Sequence, residues 1–226
     1  MRMRLLMAFF TACLAAVADE PQAKPEASKT QRLDFPAGGT LRLEKSIGTL
    51  TIEGWERPDM EITTTAPDKV HISTGSRGQE VIVRTDSPRR RIPRNPLIGG
   101  SNFTVEYNIK VPSTAKLVVH HQVGQVNVDN LAADVDVTLM QGEILLHLPQ
   151  DSRYVINARS DYGSVNSDFP GQEQRRRWFL GHRFISQAEA PHKLHLLVRF
   201  GDIVILKIQE PKQAPPLPPS ATGGAR

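Results

Sequence analysis

Cysteine is almost missing from this chain: Cys13 is the one thiol in 226 residues, and it lies inside the apolar run Leu5 to Ala16. Removal of that run would leave no disulfide and no thiol chemistry, so stability has to come from packing. Long hydrophobic stretches are missing too, since no segment approaches the eighteen or so consecutive apolar residues that a membrane helix needs. Net charge is small: the formal +4 falls to +2 once Arg2 and Arg4 are removed, which gives no argument for a nucleic-acid partner. No stretch of any length carries a helical period. Also absent are a Ser-His-Asp order, a phosphate-cradling glycine loop and a nucleophile elbow, so the sequence names no catalytic residue, no metal ligand and no cofactor.

What is present is alternation. Between Lys116 and Leu148, Val126 and Val128 alternate with Asn127 and Asp129; Val135, Val137 and Leu139 alternate with Asp134, Asp136 and Thr138; Ile144, Leu146 and Leu148 follow Gly142. A period of two is the strand signature. The glycines recur in one setting, Gly124-Gln-Val-Asn-Val and Gly142-Glu-Ile-Leu-Leu, with further copies at Gly48-Thr-Leu-Thr-Ile and Gly201-Asp-Ile-Val-Ile and a degraded one at Gly163-Ser-Val-Asn-Ser. A residue without Cβ can take positive φ and bend one strand into the next, so each glycine reads as a corner. The spacings are 18 residues from Gly124 to Gly142, 21 to Gly163 and 38 to Gly201, with Gly181 near the middle of the last interval. A period near twenty predicts an all-β, β-solenoid or β-helix-like stack of short strands in which successive coils share a core. The alternative is a β-sandwich or meander with hairpins of similar length. Val126, Val128, Val135, Val137, Ile144 and Leu146 are the expected core.

Organisation along the chain follows from composition. Residues 1–18 carry two arginines, an apolar run and Ala16-Val17-Ala18 before Asp19, the pattern of a secretory signal peptide. Export follows, to the periplasm, the cell surface or the medium; a lipoprotein anchored through Cys13 is the alternative. Residues 19–31 read as a polar tether, residues 32–208 as the β-repeat domain, and residues 209–226, with Pro-Pro-Leu-Pro-Pro, as a Pro-rich disordered tail. A basic Pro/Gly loop at 87–101 joins the halves 32–86 and 102–208.

These residues resemble the exported bacterial putative-adhesin domains built from β-strand repeats, a family of unknown function. The resemblance covers roughly Leu41 to Ile208. It rests on Gly48-Thr-Leu-Thr-Ile-Glu-Gly-Trp, on Tyr107-Asn-Ile-Lys-Val-Pro, on Gly124-Gln-Val-Asn-Val, and on Arg159-Ser-Asp-Tyr-Gly-Ser-Val-Asn-Ser-Asp-Phe-Pro followed by Phe200-Gly-Asp-Ile-Val-Ile. Where that family shows a small polar residue before the repeat glycine, this chain has Val123, Gln141, Tyr162 and Phe200. The resemblance implies a repetitive β fold and a surface or periplasmic life, with no reaction attached.

Candidate functional residues fall into three groups. The basic loops, Arg89, Arg90, Arg91 and Arg94 in one and Arg175, Arg176 and Arg177 before Trp178 in the other, combine guanidinium forks with an aromatic ring and suit an anionic envelope polymer or the acidic face of an envelope protein. Histidines 120 and 121, adjacent on a strand, point to opposite faces, and His192 and His195 do the same, so all are expected to be scattered surface residues. Acidic residues recur beside the repeats at Asp129, Asp134, Asp136, Glu143, Asp161 and Asp202. Polysaccharide-cleaving β-helix enzymes gather carboxylates from adjacent coils, and two of them within about 5–10 Å in one groove are the requirement for that reading. The expected function is non-enzymatic binding, adhesion or scaffolding in the cell envelope, with the polysaccharide-acting enzyme as the rival.

Overall fold

The computed structural model describes residues 27–67, 70–86, 105–150, 153–175, 181–186 and 189–208. The signal segment, most of the tether, the basic loop at 87–101 and the tail at 209–226 lie outside them. The described chain runs through β1 (Ala27–Asp34), β2 (Thr40–Trp55), β3 (Asp59–Ala66), β4 (His71–Arg77), β5 (Glu80–Asp86), β6 (Glu106–Pro112), β7 (Lys116–Asp129), β8 (Val135–Pro149), β9 (Tyr154–Tyr162), β10 (Val165–Ser167), β11 (Gln172–Arg175), β12 (His182–Ile185) and β13 (His192–Ile208). No helix occurs among the described residues, as the alternation requires.

The four long strands β2, β7, β8 and β13 lie side by side in parallel, each broken in its middle by a glycine. Gly48, Gly124, Gly142 and Gly201 are register partners across the four. The break changes the phase of the alternation. In β8 the buried residues are Val135, Val137 and Leu139 before Gly142, then Ile144, Leu146 and Leu148 after it, so both legs of the bent strand turn their apolar side to one core. A strict period of two would have put one leg's apolar set into water. Gly124 and Gly142 take φ of 133° and 134°, and the carbonyl oxygen of Gly124 fills the place where a Cβ on Gly142 would stand.

Register then stacks like on like. Leu41, Leu117, Val135 and Leu194 form one buried row and Leu43, Val119, Val137 and Leu196 the next. Beyond the corner come Leu50, Val126, Ile144 and Ile203, then Ile52, Val128, Leu146 and Ile205. The six expected core residues are all at most 1% exposed. Each aliphatic side chain buried from water in this way contributes about 1.5–3 kcal/mol relative to an exposed one.

At both flanks the sheet divides into branches, one for each leg. Beside β2 the first leg pairs with β5 and then β4, while the second pairs with β6, then β3, then β1. Beside β13 the first leg pairs with β9, then β12 and β11, and the second with β10 alone. The branches are tied inside the core by Thr85 Oγ1 and Tyr107 Oη, 2.7 Å apart, and burial raises the Tyr107 phenol pKa above its ordinary value. The result is a mixed 13-stranded sheet that does not close on itself.

Three expectations need correction. Successive repeats do not stack in chain order: β13 lies between β8 and β9, so Gly142 stacks on Gly201, and Gly163 lies beyond it. The reason is apolar content. The degraded copy offers only Val165 to the core, which suffices for the three-residue β10 at the end of the stack, whereas Gly201-Asp-Ile-Val-Ile offers Ile203 and Ile205 and fills an interior place. Gly181 opens no further parallel repeat; it precedes β12, which runs antiparallel to β9. Finally, Ala27–Gln31, read as tether, is the first part of β1, where pairing with Ile62–Ala66 supplies the hydrogen bonds that its composition cannot.

Candidate functional site

Of the arginine-loop residues, Arg89, Arg90, Arg91, Arg94, Arg176, Arg177 and Trp178 lie outside the described residues. Arg175 is the exposed last residue of β11, opposite His182.

The carboxylates divide by register. Asp129 follows Glu53 across β2 and β7 and precedes His147 on β8, giving an outward-facing row Lys110, Glu53, Asp129, His147. Within it Lys110 Nζ lies 3.5 Å from Glu53, and His147 Nδ1 lies 2.6 Å from Asp129 Oδ1. Glu143 and Asp202 are also direct register partners and both are exposed. Neighbouring strands are about 4.8 Å apart, so Glu53 with Asp129 and Glu143 with Asp202 stand side by side on adjacent strands. Asp202 accepts hydrogen bonds from the Ser164 amide and hydroxyl at 2.7 Å, and Asp134 accepts one from the Lys193 amide at 2.9 Å; both therefore tie strand ends together. Among the described residues no group of three or more His, Cys, Asp or Glu is placed to hold a metal ion.

The histidines correct the sequence reading. His120 is exposed, but His121 is only 3% exposed and belongs to the core side of the corner. Its Nε2 lies 3.0 Å from the Gly48 carbonyl, which can only accept, so Nε2 carries the proton and Nδ1 accepts from the Ser46 hydroxyl at 2.8 Å. Burial lowers its pKa to about 4. The signal was in the sequence: Leu117, Val119 and His121 continue one alternating face.

Two features escaped sequence reasoning. The first is an apolar ledge on the outside of the glycine corner. Tyr162 and Phe200, the residues before Gly163 and Gly201, are register partners whose rings stack with centroids 4.9 Å apart at 10°. They are 49% and 38% exposed. Met140, 48% exposed, has its sulfur 3.8 Å from Arg199 Nη1.

The second is a shallow depression of about 160 Å³ on the outer face of β13, β9 and β12, lined by Asn157, Arg159, Arg183, His195, Leu196 and Leu197. Arg159 and Arg183 are direct cross-strand partners. Arg159 donates through Nε and Nη2 to Asp161, while Arg183 Nε donates to Asn157 Oδ1 at 3.2 Å. His195 Nδ1 lies 3.3 Å from Asp136 Oδ1. Only the pairing of β9 with β12 and β13 creates this cluster, and no spacing in the chain announces it.

Comparison with solved structures finds this architecture elsewhere. A structure described as a putative cell adhesion protein from Clostridium sporogenes matches with a TM-score of 0.50 at 18% identity, covering 82% of this chain and all of that one. A putative adhesin from Bacteroides fragilis matches with a TM-score of 0.30 at 10% identity, covering 80% and 97%. The first likeness shows a shared fold, in agreement with the resemblance drawn from the repeat glycines. No protein-family model and no curated protein matches the sequence at a significant level.

Proposed function

We propose that this chain is an exported, non-enzymatic binding protein of the cell envelope, acting in adhesion or scaffolding through the outside of a β-solenoid-like stack. The observation that carries the reading is the ledge formed by the stacked rings of Tyr162 and Phe200. Two large aromatic side chains are held in water beside the glycine corner, whereas the other large hydrophobics among the described residues, Met140 apart, are less exposed. A contiguous exposed apolar patch on a well-packed protein marks a contact surface. The stacked rings add rigidity, so little side-chain entropy is lost when something docks on them. The shared fold with the Clostridium sporogenes protein is in keeping with this. The rival, a polysaccharide-acting enzyme, draws on the neighbouring carboxylates Glu143 and Asp202, but both stand exposed on an outer face without the enclosing walls that let a carboxyl act as a general acid.

Co-sedimentation of the purified protein with envelope fractions tests the reading. The wild type is expected to sediment, and the double variant Tyr162→Ser/Phe200→Ser to remain in the supernatant with its circular dichroism unchanged. A second variant set, with Arg89, Arg90, Arg91, Arg175, Arg176 and Arg177 changed to Ser, measures what the basic loops add. Wild-type sedimentation of the ledge variant removes the ledge, and release of reducing sugar from envelope polysaccharide, lost in Glu143→Gln, would favour the rival.

A further inference from the structure

Arg159 and Arg183 stand directly opposite each other on the paired strands β9 and β12, and facing like charges cost stability unless something negative lies beside them. Alternation puts both on the outer face. Asn157, Arg159 and Asp161 project from β9 while Ile156, Ala158 and Ser160 are buried beneath, and Arg183 projects from β12 next to the buried Phe184. His195 and Leu197 on β13 belong to the same face as register partners of Asn157 and Arg159. Neighbours across the strands are about 4.8 Å apart and alternate residues along one strand about 6.7 Å apart, so these side chains rim the depression of about 160 Å³ closely. The rings of Tyr162 and Phe200, three positions further along, have the opposite parity and take no part.

Arg159 is answered by Asp161, and His195 by Asp136. Arg183 has no carboxylate partner among the described residues: its Nε donates to the neutral Asn157 oxygen, and Gln174, its cross-strand neighbour on β11, is neutral as well. The hydrogen bonds already made decide what the site still offers. Asn157 Oδ1 accepts from Arg183, which leaves Asn157 Nδ2 to donate. Arg183 keeps both terminal nitrogens, and Arg159, which gives Nε and Nη2 to Asp161, keeps Nη1. Donors from three adjoining residues therefore await an acceptor. A carboxylate has two oxygens and is satisfied by one guanidinium, whereas a tetrahedral phosphate or sulfate presents oxygens to all three residues at once.

We propose that this depression is a binding site for a tetrahedral oxyanion of the phosphate or sulfate type, held end-on by Arg183 with Arg159 and Asn157 donating from the side. The anion supplies the negative charge that the facing arginines lack. The site goes beyond the adhesive role proposed above and shares no residue with the ledge, so either reading can fail alone.

Isothermal titration calorimetry of the full chain with inorganic phosphate, sulfate, glycerol 2-phosphate and acetate, in chloride buffer of matched ionic strength, tests the site. Phosphate and sulfate are expected to bind saturably, and acetate more weakly. Arg183→Gln should weaken phosphate binding at least about tenfold, the effect of losing hydrogen bonds to a charged partner. Arg183→Lys, which keeps the charge and loses the paired donors, should weaken it too, and Tyr162→Ser/Phe200→Ser should bind as the wild type does. Thermal unfolding separates binding from a purely structural role: in chloride alone Arg183→Gln should be at least as stable as the wild type, because the facing charges are gone, whereas phosphate should raise the wild-type midpoint more than that of the variant. Glycerol 2-phosphate binding as tightly as inorganic phosphate assigns the site to a phosphate group carried on a larger molecule, and binding of the inorganic ions alone assigns it to the free anion. The proposal is overturned if the wild type binds no phosphate, if acetate binds equally well, if Arg183→Gln keeps wild-type affinity, or if affinity is lost only when Arg89, Arg90, Arg91, Arg175, Arg176 and Arg177 are changed to Ser.

Discussion

Gly142 lies directly against Gly124, whose carbonyl oxygen occupies the volume a side chain on Gly142 would need. The same contact repeats from Gly124 onto Gly48 and from Gly201 onto Gly142, so the corner of the sheet is a column of backbone with no room for a methyl group.

Gly142→Ala is therefore expected to be severe. It combines a φ of 134° with a clash against immobile backbone, and strained conformations of this kind alone cost about 1–3 kcal/mol. A loss of at least ~3 kcal/mol in urea unfolding is the expected outcome. Gly75 on β4, where an added Cβ meets nothing within 4 Å, provides the contrast: Gly75→Ala should change stability by no more than about 0.5 kcal/mol. Similar small effects at both sites would contradict the stacked corner.

Ile144→Ala removes a fully buried side chain from the row Leu50, Val126, Ile144, Ile203. The expected loss is about 2–5 kcal/mol, the range for large-to-small changes in a packed core. A loss below about 0.5 kcal/mol would mean that the side chain faces solvent and the strand is one residue out of register.

His121 predicts an acid limb in the stability profile. In the unfolded chain a histidine titrates near 6.5, whereas in the folded protein burial holds its pKa at about 4. Above pH 6.5 the ring is neutral in both states and titration has no effect. As pH falls from 6.5 toward 4 the unfolded state takes up a proton that the folded state refuses, so stability is lost, by up to about 3 kcal/mol. Urea unfolding from pH 7 to pH 4 should show this slope in the wild type and a flatter one in His121→Gln. Parallel profiles for the two proteins would exclude His121 as its source.

Processing provides a test of export. If Ala16-Val17-Ala18 is cleaved as read, mass spectrometry of the exported protein should find Asp19 as its first residue. A diacylated Cys13 at the N-terminus would instead make the protein membrane-anchored.

Strand identity and inward faces were legible because they are local: the alternation at Val135, Val137 and Leu139 and its resumption at Ile144 already contain the phase change that the corner imposes. The repeat glycines were legible for the same reason. The order of the strands was not, since the preference of β8 for β13 over β9 depends on how much apolar surface each can offer across long separations. The surface features followed that order into obscurity. Arg159 and Arg183 are 24 residues apart in the chain, and Tyr162 and Phe200 are 38 apart; each pair exists only once β9 has taken its neighbours. His121 is the one miss that more consistent use of the alternation would have prevented.

The place of β13 also orders events in time. Its partners on β8 lie about sixty residues earlier, as Leu194 and Val135 show, so the sheet's interior is completed by the last described segment to be synthesised. Until that segment arrives, β8 and β9 each present an unpaired parallel edge, and closing such a long loop carries an entropic cost that local contacts do not offset. A chain threaded N-terminus first across a membrane thus cannot finish folding before its C-terminal strand has crossed. Truncation before His192 would leave two raw edges of the kind that recruit other chains into aggregates.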